Sequence, residues 1–423
     1  MKIAIIGAGF TGLSAAYQLT KQGHEVFVFE KDSQPGGLAL GYKKKEWDWT
    51  LENYYHHWFT NDHAILSLAK EIGHNVLVRR PKTCVYIAGE SYQLDSALSL
   101  LTFPKLPFWD KVRMAETLAI LKFNPFWKHM EKVKATQFLP KVMGEKAYKM
   151  IWEPLFVNKF GDYADVISLA WFWARITKRT PSLAYPEGGF LSFAKALEKK
   201  VRDQGGHITY SSSVSHIGEV DGKTIVTHDG EKEIFDKIIV TIPSFHFLKI
   251  TPQLPEDYRK KLEKLQGIGA MTVVLRLKNT FLKDKTYWLN ICDPAAPITA
   301  VVEHTNFMDK KHYNNEHILY LGNYLPTEHP YFSMTEKQLM NEFDPFLEKL
   351  NPSYKKHIIG IDVFRVPFAQ PIIATNYSKL IPPLTTPLNN VFLANMQQVY
   401  PWDRGTNYAV ELGEKIAQLA ANS

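Results

Sequence analysis

The sequence predicts an α/β fold whose parallel sheet starts at the first residues of the chain. The short apolar segment Lys2–Ile6 (KIAII) leads directly into a glycine-rich run at residues 7–12, GAGFTG. A segment rich in small residues then ends near Gly23, and a second apolar segment, Glu25–Phe29, ends at Glu30. Strand, glycine-rich turn, helix, strand and acid is the order of a βαβ dinucleotide-binding unit.

Each residue of the glycine-rich run has a predicted role. Gly7 allows the tight turn after the strand, Gly9 lets the backbone approach a pyrophosphate, and Gly12 lets the helix pack closely on the strand. The helix that follows offers free N–H groups and the positive end of its dipole to the anion. Ala8 and Thr11 lie in the same loop, so we expect them to contact the cofactor as well.

The segment after the second strand indicates which dinucleotide binds. Glu30 lies where a carboxylate accepts hydrogen bonds from a ribose diol. Lys31 follows it, and the glycine pair Gly36-Gly37 before Leu38 lets a second backbone segment reach the cofactor. This pattern resembles the flavoprotein superfamily of amine oxidases, protoporphyrinogen oxidases, phytoene desaturases and UDP-galactopyranose mutases, whose members wrap FAD with an acid, a basic residue and a glycine pair.

Further segments carry the same resemblance in the same order along the chain. They are Tyr185–Phe190 (YPEGGF), the strand pair around His207–Ile217, Phe235–Pro243, and Asn390–Ala394 with the following Gly405–Val410. The resemblance implies that the backbone of Val214 reaches the adenine. It also implies that Gly405, Thr406, Asn407 and Tyr408 face the ribityl chain and the flavin ring. Members of the superfamily carry an acid after the last strand, where this chain has Asn395.

The resemblance implies a glutathione-reductase-like, Rossmann-type FAD-binding domain with an inserted mixed α+β substrate domain. We assign the FAD-binding domain to residues 1–79, 185–243 and 361–423. Residues 80–184 are assigned to a helical substrate or cap region, and residues 244–360 to a substrate domain of sheet and helices.

Two residues are candidates for a catalytic role. The polar and aromatic stretch 52–62 loosely resembles a His-x-x-x-Thr-Asn-Asp stretch of UDP-galactopyranose mutases, which aligns His56 with a histidine beside the flavin. The alternative is that His56 and His57 are hydrogen-bonded core residues. Arg404 precedes the segment expected at the flavin pyrimidine edge, where a positive charge stabilises anionic reduced flavin. Arg175 and Arg179 are interpreted as a solvated helix face rather than as substrate contacts.

Three functions stay open on the sequence. The leading one is an FAD-dependent oxidoreductase, similar to protoporphyrinogen oxidases and amine oxidases, that removes hydride from an apolar or amphipathic substrate and is reoxidised by oxygen or a quinone. The strand-like run Gly269–Leu275 lacks the lysine that holds a water at flavin N5 in amine oxidases, which counts against a typical amine oxidase. The second is a non-redox flavin mutase acting on a nucleotide- or polyprenyl-linked sugar. The third is a membrane-surface protein that keeps FAD as a structural element.

Composition bounds location and partners. The chain has 423 residues, 45% of them hydrophobic and 22% charged, which is typical of a globular protein. Residues 101–150 hold ten Lys/Arg against four Asp/Glu, a net charge of +6, together with eight aromatic residues. We expect this stretch to meet an anionic membrane surface or the substrate rather than nucleic acid. The alternative is a solvated helical face whose aromatic residues belong to the core. No residues have metal-ligand spacing, and no apolar run approaches a membrane span, so we expect a cytoplasmic protein, soluble or peripheral.

We predict that Glu30→Ala weakens FAD binding roughly ten- to a hundred-fold while the fold is kept. The reason is the loss of a hydrogen bond to a charged acceptor, which contributes ~1.5–3 kcal/mol. Equilibrium titration of the apoprotein with FAD measures the effect. An unchanged affinity would show that Glu30 does not hold the ribose.

Overall fold

The computed structural model describes residues 1–220 and 222–423 of the chain. The strands are β1 (Lys2–Ile6), β2 (Glu25–Phe29), β3 (Gly41–Tyr42), β4 (Leu51–Glu52), β5 (Trp58–Phe59), β6 (Val76–Arg79), β7 (Lys82–Ile87), β8 (Glu90–Gln93), β9 (Leu183–Pro186), β10 (His207–Thr209), β11 (Val214–Val220), β12 (Lys223–His228), β13 (Glu231–Phe235), β14 (Lys237–Val240), β15 (Gly267–Leu277), β16 (Thr286–Ile291), β17 (Ala300–Glu303), β18 (His317–Leu325), β19 (Ile358–Pro371) and β20 (Val391–Leu393).

The helices lie between these strands, and six of them fall within residues 97–178. They are α1 (Phe10–Lys21), α2 (His63–Ile72), α3 (Ala97–Leu101), α4 (Phe108–Phe123), α5 (Ala135–Met143), α6 (Glu145–Ala147), α7 (Glu153–Phe160), α8 (Leu169–Lys178), α9 (Phe190–Asp203), α10 (Ser244–Ile250), α11 (Glu256–Glu263), α12 (Glu336–Leu350) and α13 (Thr406–Asn422). None of these helices is long and apolar enough to cross a membrane.

The first sheet is parallel and has the order β10-β2-β1-β14-β20. Its central strand β1 is apolar because both faces are covered, and Ile3 and Ile5 are fully buried. Helices α1, α9 and α13 pack against one another, so closely that a Cβ on Gly413 would lie 2.5 Å from the carbonyl oxygen of Thr11. The carboxyl ends of the strands share one edge, where an open α/β sheet binds its ligand.

The second large sheet is mixed and has the order β19-β15-β18-β17-β16-β7-β8. Alternate residues of β15, including Met271 and Val273, pack with Leu339 and Phe343 of α12 in a separate core. Strands β7 and β8 come from the stretch 80–184, which the sequence predicts to be helical. They join this sheet because β7 pairs in parallel with β16, which buries Cys84 and its apolar neighbours.

The remaining helices α3–α8 form a layer with an aromatic core. Its buried side chains include Trp152, Phe156, Trp171 and Phe172, whose rings meet edge to face or offset-stacked. This layer packs against the mixed sheet through α7, which contacts β16 and β18. The fold is therefore a Rossmann-type domain joined to a mixed sheet-and-helix part, as predicted, although the exact domain boundaries stay a prediction.

A buried carboxylate joins the two parts. Glu52 is 1% exposed and accepts hydrogen bonds from the hydroxyl of Tyr185, at 2.9 and 3.0 Å, and from the N–H of Phe190, at 2.8 Å. Phe190 begins α9, so the negative charge also meets the positive end of a helix dipole. The carbonyl of Glu52 accepts a hydrogen bond from Tyr320 of β18 at 2.7 Å. The residue thus connects β4, β9, α9 and the mixed sheet.

We predict that Glu52→Gln flattens the pH dependence of stability between about pH 4.5 and about pH 7. Burial raises the pKa of Glu52 from 4.5 to about 7, so the folded state holds this proton more tightly than the unfolded state. Its contribution is therefore complete below the unfolded pKa and is lost as the pH rises through the folded pKa, by about 3 kcal/mol.

Urea unfolding at several pH values measures the effect as the difference between the wild type and the variant. The exposed Glu25→Gln serves as the matched control and is expected to leave the curve unchanged. Parallel pH curves for the wild type and Glu52→Gln would contradict the prediction.

Candidate functional site

The glycine-rich loop forms a cradle at the carboxyl end of β1. Gly7 has a φ of +105°, which favours glycine, and a Cβ on Gly12 would lie 1.9 Å from the carbonyl oxygen of Gly7. No side chain of the described residues caps the start of α1, whose N-cap is Gly9. The N–H groups of the first turn of α1, including that of Thr11, are thus arranged as an anion site. The N–H of Ala8 is not part of it, because it is donated to the carboxylate of Glu30.

The second glycine pair lies directly against this loop. Gly36 donates its N–H to the carbonyl of Ala8 at 3.0 Å, and Gly36 and Gly9 form a parallel bridge. A Cβ on Gly37 would lie 3.1 Å from the Cα of Gly9. The two backbones are therefore closer together than residues with side chains would allow. The chain continues into Leu38, which lines a cavity described below.

Three predicted cofactor residues follow the carboxyl ends of β2 and β10 along the chain. The carboxylate of Glu30 is 7% exposed and accepts the N–H of Ala8 at 2.7 Å and of Asp32 at 2.9 Å. Val214, at the start of β11, is buried. Lys31 is exposed, with its ammonium 3.5 Å from Asp32. The position of Glu30 between the loop and the end of β2 suits a ribose ligand, a role that stays a prediction.

The C-terminal candidates divide into two groups. The amide of Asn395 is occupied within the protein, because it accepts the N–H of Gln397 and donates to Ile242 and Ser244. Asn407 is likewise used in the fold, since its side chain accepts the N–H of Ile65 at 3.1 Å.

The second C-terminal group surrounds the start of α13. Gly405 is exposed, and the hydroxyl of Thr406 accepts the indole N–H of Trp58 at 2.7 Å. The hydroxyl of Tyr408 is buried, has no hydrogen-bond partner among the described residues, and its ring stacks on Trp402. A buried hydroxyl without a partner is a group that a bound ligand can satisfy.

Two adjoining cavities lie against the mixed sheet, and they share Tyr55 and Tyr324. The first, of about 480 Å³, is called the histidine cavity. It is lined by Leu38, Tyr54, Tyr55, His56, Ala270, Met271, Thr272, Gly322, Asn323, Tyr324, Val366, Ala369 and Arg404. Two predicted catalytic residues and one predicted cofactor residue therefore meet in one cavity.

His56 and His57 face different surroundings. The Nδ1 of His56 lies 2.5 Å from the carbonyl oxygen of Tyr54, and since a carbonyl only accepts, Nδ1 carries the proton. Burial lowers the pKa of His56 to about 4, so the ring is neutral at pH 7 and its Nε2 is an acceptor. His57 instead packs against Tyr287 and Trp288, and burial, with the charge of Arg179, lowers its pKa to about 3.

Arg404 is held by the wall of the histidine cavity. Its guanidinium donates to the amide oxygen of Gln370 at 2.9 Å and to the hydroxyl of Tyr324 at 2.6 Å. Burial raises the pKa of the Tyr324 phenol, but the charges of Arg404 and Lys159 outweigh burial and lower it. The guanidinium thus has a fixed orientation, and Lys159 is a second positive charge near Tyr324. A fixed positive charge suits the predicted position beside a flavin edge.

The second cavity, of about 750 Å³, is called the aromatic cavity. Its walls are Tyr55, Trp152, Leu155, Phe156, Asn158, Lys159, Trp171, Phe172, Arg175, Arg179, Trp288, Asn290, Thr299, Ala300 and Tyr324. The interpretation as a solvated helix face is wrong for Arg175, which is half-buried and lines this cavity. Arg179 also lines the cavity, but it is exposed to solvent as expected. The helical spacing of α8 does not show which face its last turn presents, and that is decided by packing against α4 and α7.

Lys159 is a functional candidate that the sequence reasoning missed. Its ammonium lies 3.8 Å from a carboxylate oxygen of Asp403 and 5.0 Å from the centre of the Tyr324 ring. Burial lowers its pKa to about 8, although Asp403 opposes the change. A lone lysine in an aromatic helix carries no sequence signal of this kind, since its partner Asp403 lies 244 residues away.

The comparisons with known proteins agree with this geometry. A family model described as flavin-containing amine oxidoreductase matches residues 10–420. Coproporphyrinogen III oxidase of Staphylococcus aureus is 26% identical over 317 residues, covering 64% of this chain and 66% of that protein. Amine oxidase A of Sus scrofa is 23% identical over 340 residues, covering 72% of this chain and 62% of that protein. The match thus spans less than two thirds of the length of either relative.

Solved structures show the same fold along the whole chain. A putrescine oxidase bound to putrescine has a TM-score of 0.75 at 15% identity, covering 100% of this chain and 99% of that one. A reduced UDP-galactopyranose mutase has a TM-score of 0.76 at 17% identity, covering 100% of this chain and 95% of that one. These matches confirm the predicted fold, and the family match confirms the predicted cofactor, FAD. The chain therefore belongs to the flavin-containing amine oxidoreductase family.

Proposed function

We propose that the protein removes a hydride from an apolar or amphipathic small molecule held in the aromatic cavity. The observation that carries this proposal is the contact of the two cavities across Tyr55 and Tyr324. The histidine cavity is lined by Leu38, the residue after the second glycine pair, which is expected at the cofactor. The aromatic cavity is lined by indole and phenyl rings that suit the apolar part of a substrate. FAD held by the two glycine loops and Glu30 would supply the hydride acceptor, and oxygen or a quinone would be the oxidant that regenerates it.

The residues of the chain position and assist this reaction. The glycine loops and Glu30 bind the dinucleotide, and Arg404 provides a fixed positive charge beside the histidine cavity. The neutral His56, with Nε2 unprotonated, accepts a proton or a hydrogen bond there. The carbonyl of Tyr54 holds the imidazole in this tautomer. Orientation and electrostatics are thus the contribution of the protein.

A second candidate is a non-redox rearrangement of a nucleotide- or polyprenyl-linked sugar. The cations of the aromatic cavity favour it, because a diphosphate would meet them, and a mutase shares the fold. Anaerobic mixing separates the two candidates. A substrate that bleaches the oxidised flavin supports the oxidoreductase, whereas turnover only by pre-reduced enzyme, with no net oxidation, supports the mutase.

We predict that His56→Ala keeps FAD bound but slows flavin reduction by about 10²–10⁴-fold, the range for loss of an acid–base group. His57→Ala is the matched control and is expected to change the rate far less, because its ring contacts Tyr287 rather than the histidine cavity. Stopped-flow absorbance measures both variants. Equal effects of the two substitutions, or an effect only on stability, would return both histidines to a structural role.

We also propose that the protein docks on an anionic membrane surface through α4 and its flanking residues, called here the α4 surface. Its exposed apolar side chains are Leu98, Leu101, Phe108, Trp109, Ile120, Phe123 and Phe126. Trp109, Ile120 and Phe123 lie on one face of α4 by helical spacing, and Phe123 is 83% exposed. The net charge of +6 in residues 101–150 complements anionic lipid. The predicted cytoplasmic location stays a prediction.

Vesicle sedimentation tests the α4 surface. We expect the protein to pellet with vesicles containing phosphatidylserine, less with phosphatidylcholine alone, and less again as salt screens the charges. Trp109→Ser with Phe123→Ser is expected to lower binding by about ten-fold or more, because two aromatic side chains lose burial. Ile234→Ser, an exposed apolar residue of β13, is the matched control. Absence of lipid-dependent pelleting at low salt would reject the proposal.

A further inference from the structure

We propose that the aromatic cavity binds an anionic group, a carboxylate or a phosphate, carried by the apolar body of the substrate. This inference rests on the proposed function in one respect, namely that the substrate occupies this cavity. It adds a substrate preference that the family name does not imply, because such a cavity binds anions and disfavours protonated amines. The argument depends on the three cations in its wall, Lys159, Arg175 and Arg179.

The cations of the cavity exceed its anions. Within 4 Å of them, among the described residues, Asp403 is the one carboxylate, 3.8 Å from the Lys159 ammonium and 3.7 Å from the Arg175 guanidinium. No carboxylate of the described residues lies within 4 Å of Arg179. Three positive charges thus face one negative charge, and Arg404 adds a further cation on the other side of Tyr324.

The hydrogen-bond donors of these cations are not used within the described part of the chain. The side chains of Lys159, Arg175 and Arg179 donate no hydrogen bond there, and the carboxylate of Asp403 accepts instead from Gln370 at 3.2 Å and from the Arg404 N–H at 3.0 Å. Two of them also contact an aromatic face, since Lys159 and Arg175 lie over Trp171 at 5.5 and 5.6 Å. Cation–π contacts hold a charge in place but leave its donors unsatisfied.

Such an arrangement is costly unless a ligand completes it. The side chain of Lys159 is 14% exposed, and a cation this buried is normally paired with an anion or hydrogen-bonded. Burial lowers the pKa of Lys159. Burial also acts to raise the pKa of Asp403, but the charges of Lys159, Arg175 and Arg404 outweigh burial and lower that pKa to about 2. The carboxylate therefore stays ionised and still leaves positive charge in excess. An anion with several acceptor oxygens supplies the missing partners.

The rest of the wall defines what the anion is attached to. Trp152, Phe156 and Phe172 give the cavity an apolar side, and the indole N–H of Trp152 has no acceptor among the described residues. A ligand with an apolar body and one anionic end matches both parts. A primary amine of the same size would bring a positive charge next to three others, which Coulomb repulsion disfavours.

The test uses the full chain loaded with FAD and four probes of equal chain length: decyl phosphate, decanoate, decanol and decylamine. Each is added below its micelle-forming concentration, and binding is measured by tryptophan fluorescence and calorimetry at low salt. We expect the two anions to bind about ten-fold or more tightly than decanol, and decylamine to bind more weakly than decanol. The tighter of the two anions identifies the head group, phosphate or carboxylate.

Substitutions locate the binding. Arg179→Gln is expected to weaken the tighter anion by about ten-fold or more, as is Arg175→Gln, while decanol binding stays within about two-fold. Arg80→Gln, an exposed arginine with no side-chain hydrogen bond in the described structure, is the matched control and is expected to change neither. Melting temperatures of all variants verify that each is folded.

The outcomes separate this inference from the proposed function. Decylamine binding as tightly as decyl phosphate, or anion binding that Arg175→Gln and Arg179→Gln both leave unchanged, would overturn the anionic site even though the flavin spectrum is normal. Loss of anion binding in Trp109→Ser with Phe123→Ser, but not in the arginine variants, would move it to the α4 surface and overturn it as well. A substrate that binds at the arginines without reducing the flavin would contradict the proposed oxidation and leave the anionic site standing.

Discussion

The buried residue Glu52 joins β4, β9 and α9 to the mixed sheet, whose strands line both cavities. It ends strand β4, receives the Tyr185 hydroxyl and the first N–H of α9, and its backbone carbonyl receives the hydroxyl of Tyr320 in the mixed sheet. The chain leaves this anchor and reaches Tyr55 and His56 three and four residues later. Because the anchor belongs to both parts of the fold, the side chains that follow it are directed between them.

Burial of charge is the second constraint, and the protein meets it in two ways. Glu52 is satisfied by donors of the fold itself, so its burial serves the structure. Lys159 and Arg175 are satisfied only in part, by one carboxylate and by aromatic faces, and they lie beside Arg179, which is exposed but lines the same cavity. Groups left in this condition destabilise the free protein and become favourable when a ligand supplies the missing partners. The first cluster therefore stabilises the fold, and the second is the part of the molecule best suited to recognition.

The two cavities divide the proposed chemistry between them. The histidine cavity combines a neutral imidazole, an oriented guanidinium and the end of the second glycine loop. The aromatic cavity offers rings for an apolar body and cations for an anion. Tyr55 and Tyr324 lie between them, and the Tyr324 hydroxyl accepts a hydrogen bond from Arg404. A charge placed in one cavity therefore changes the electrostatic potential in the other. In the proposed function, this would couple substrate binding to the electrostatics at the cofactor.

The sequence by itself determined the parts of this protein that depend on neighbouring residues. The run GAGFTG, Glu30 and the pair Gly36-Gly37 predict a βαβ unit and its cofactor, because turns, strands and helix starts follow from local backbone geometry. The resemblance of these motifs to known flavoproteins also predicted the family to which the chain belongs. Residues 101–150 were also recognisable as unusual, since their charge and aromatic content are properties of composition.

Only the tertiary structure decided which distant residues meet. Lys159, Arg175 and Asp403 come from two helices and a C-terminal loop, and no spacing in the sequence indicates that one carboxylate serves both cations. The turning of Arg179 into the cavity and the entry of β7 into the mixed sheet depend in the same way on packing between elements. Local periodicity shows that a helix or strand has an apolar face, but the neighbour that covers this face is chosen by the free energy of the whole fold.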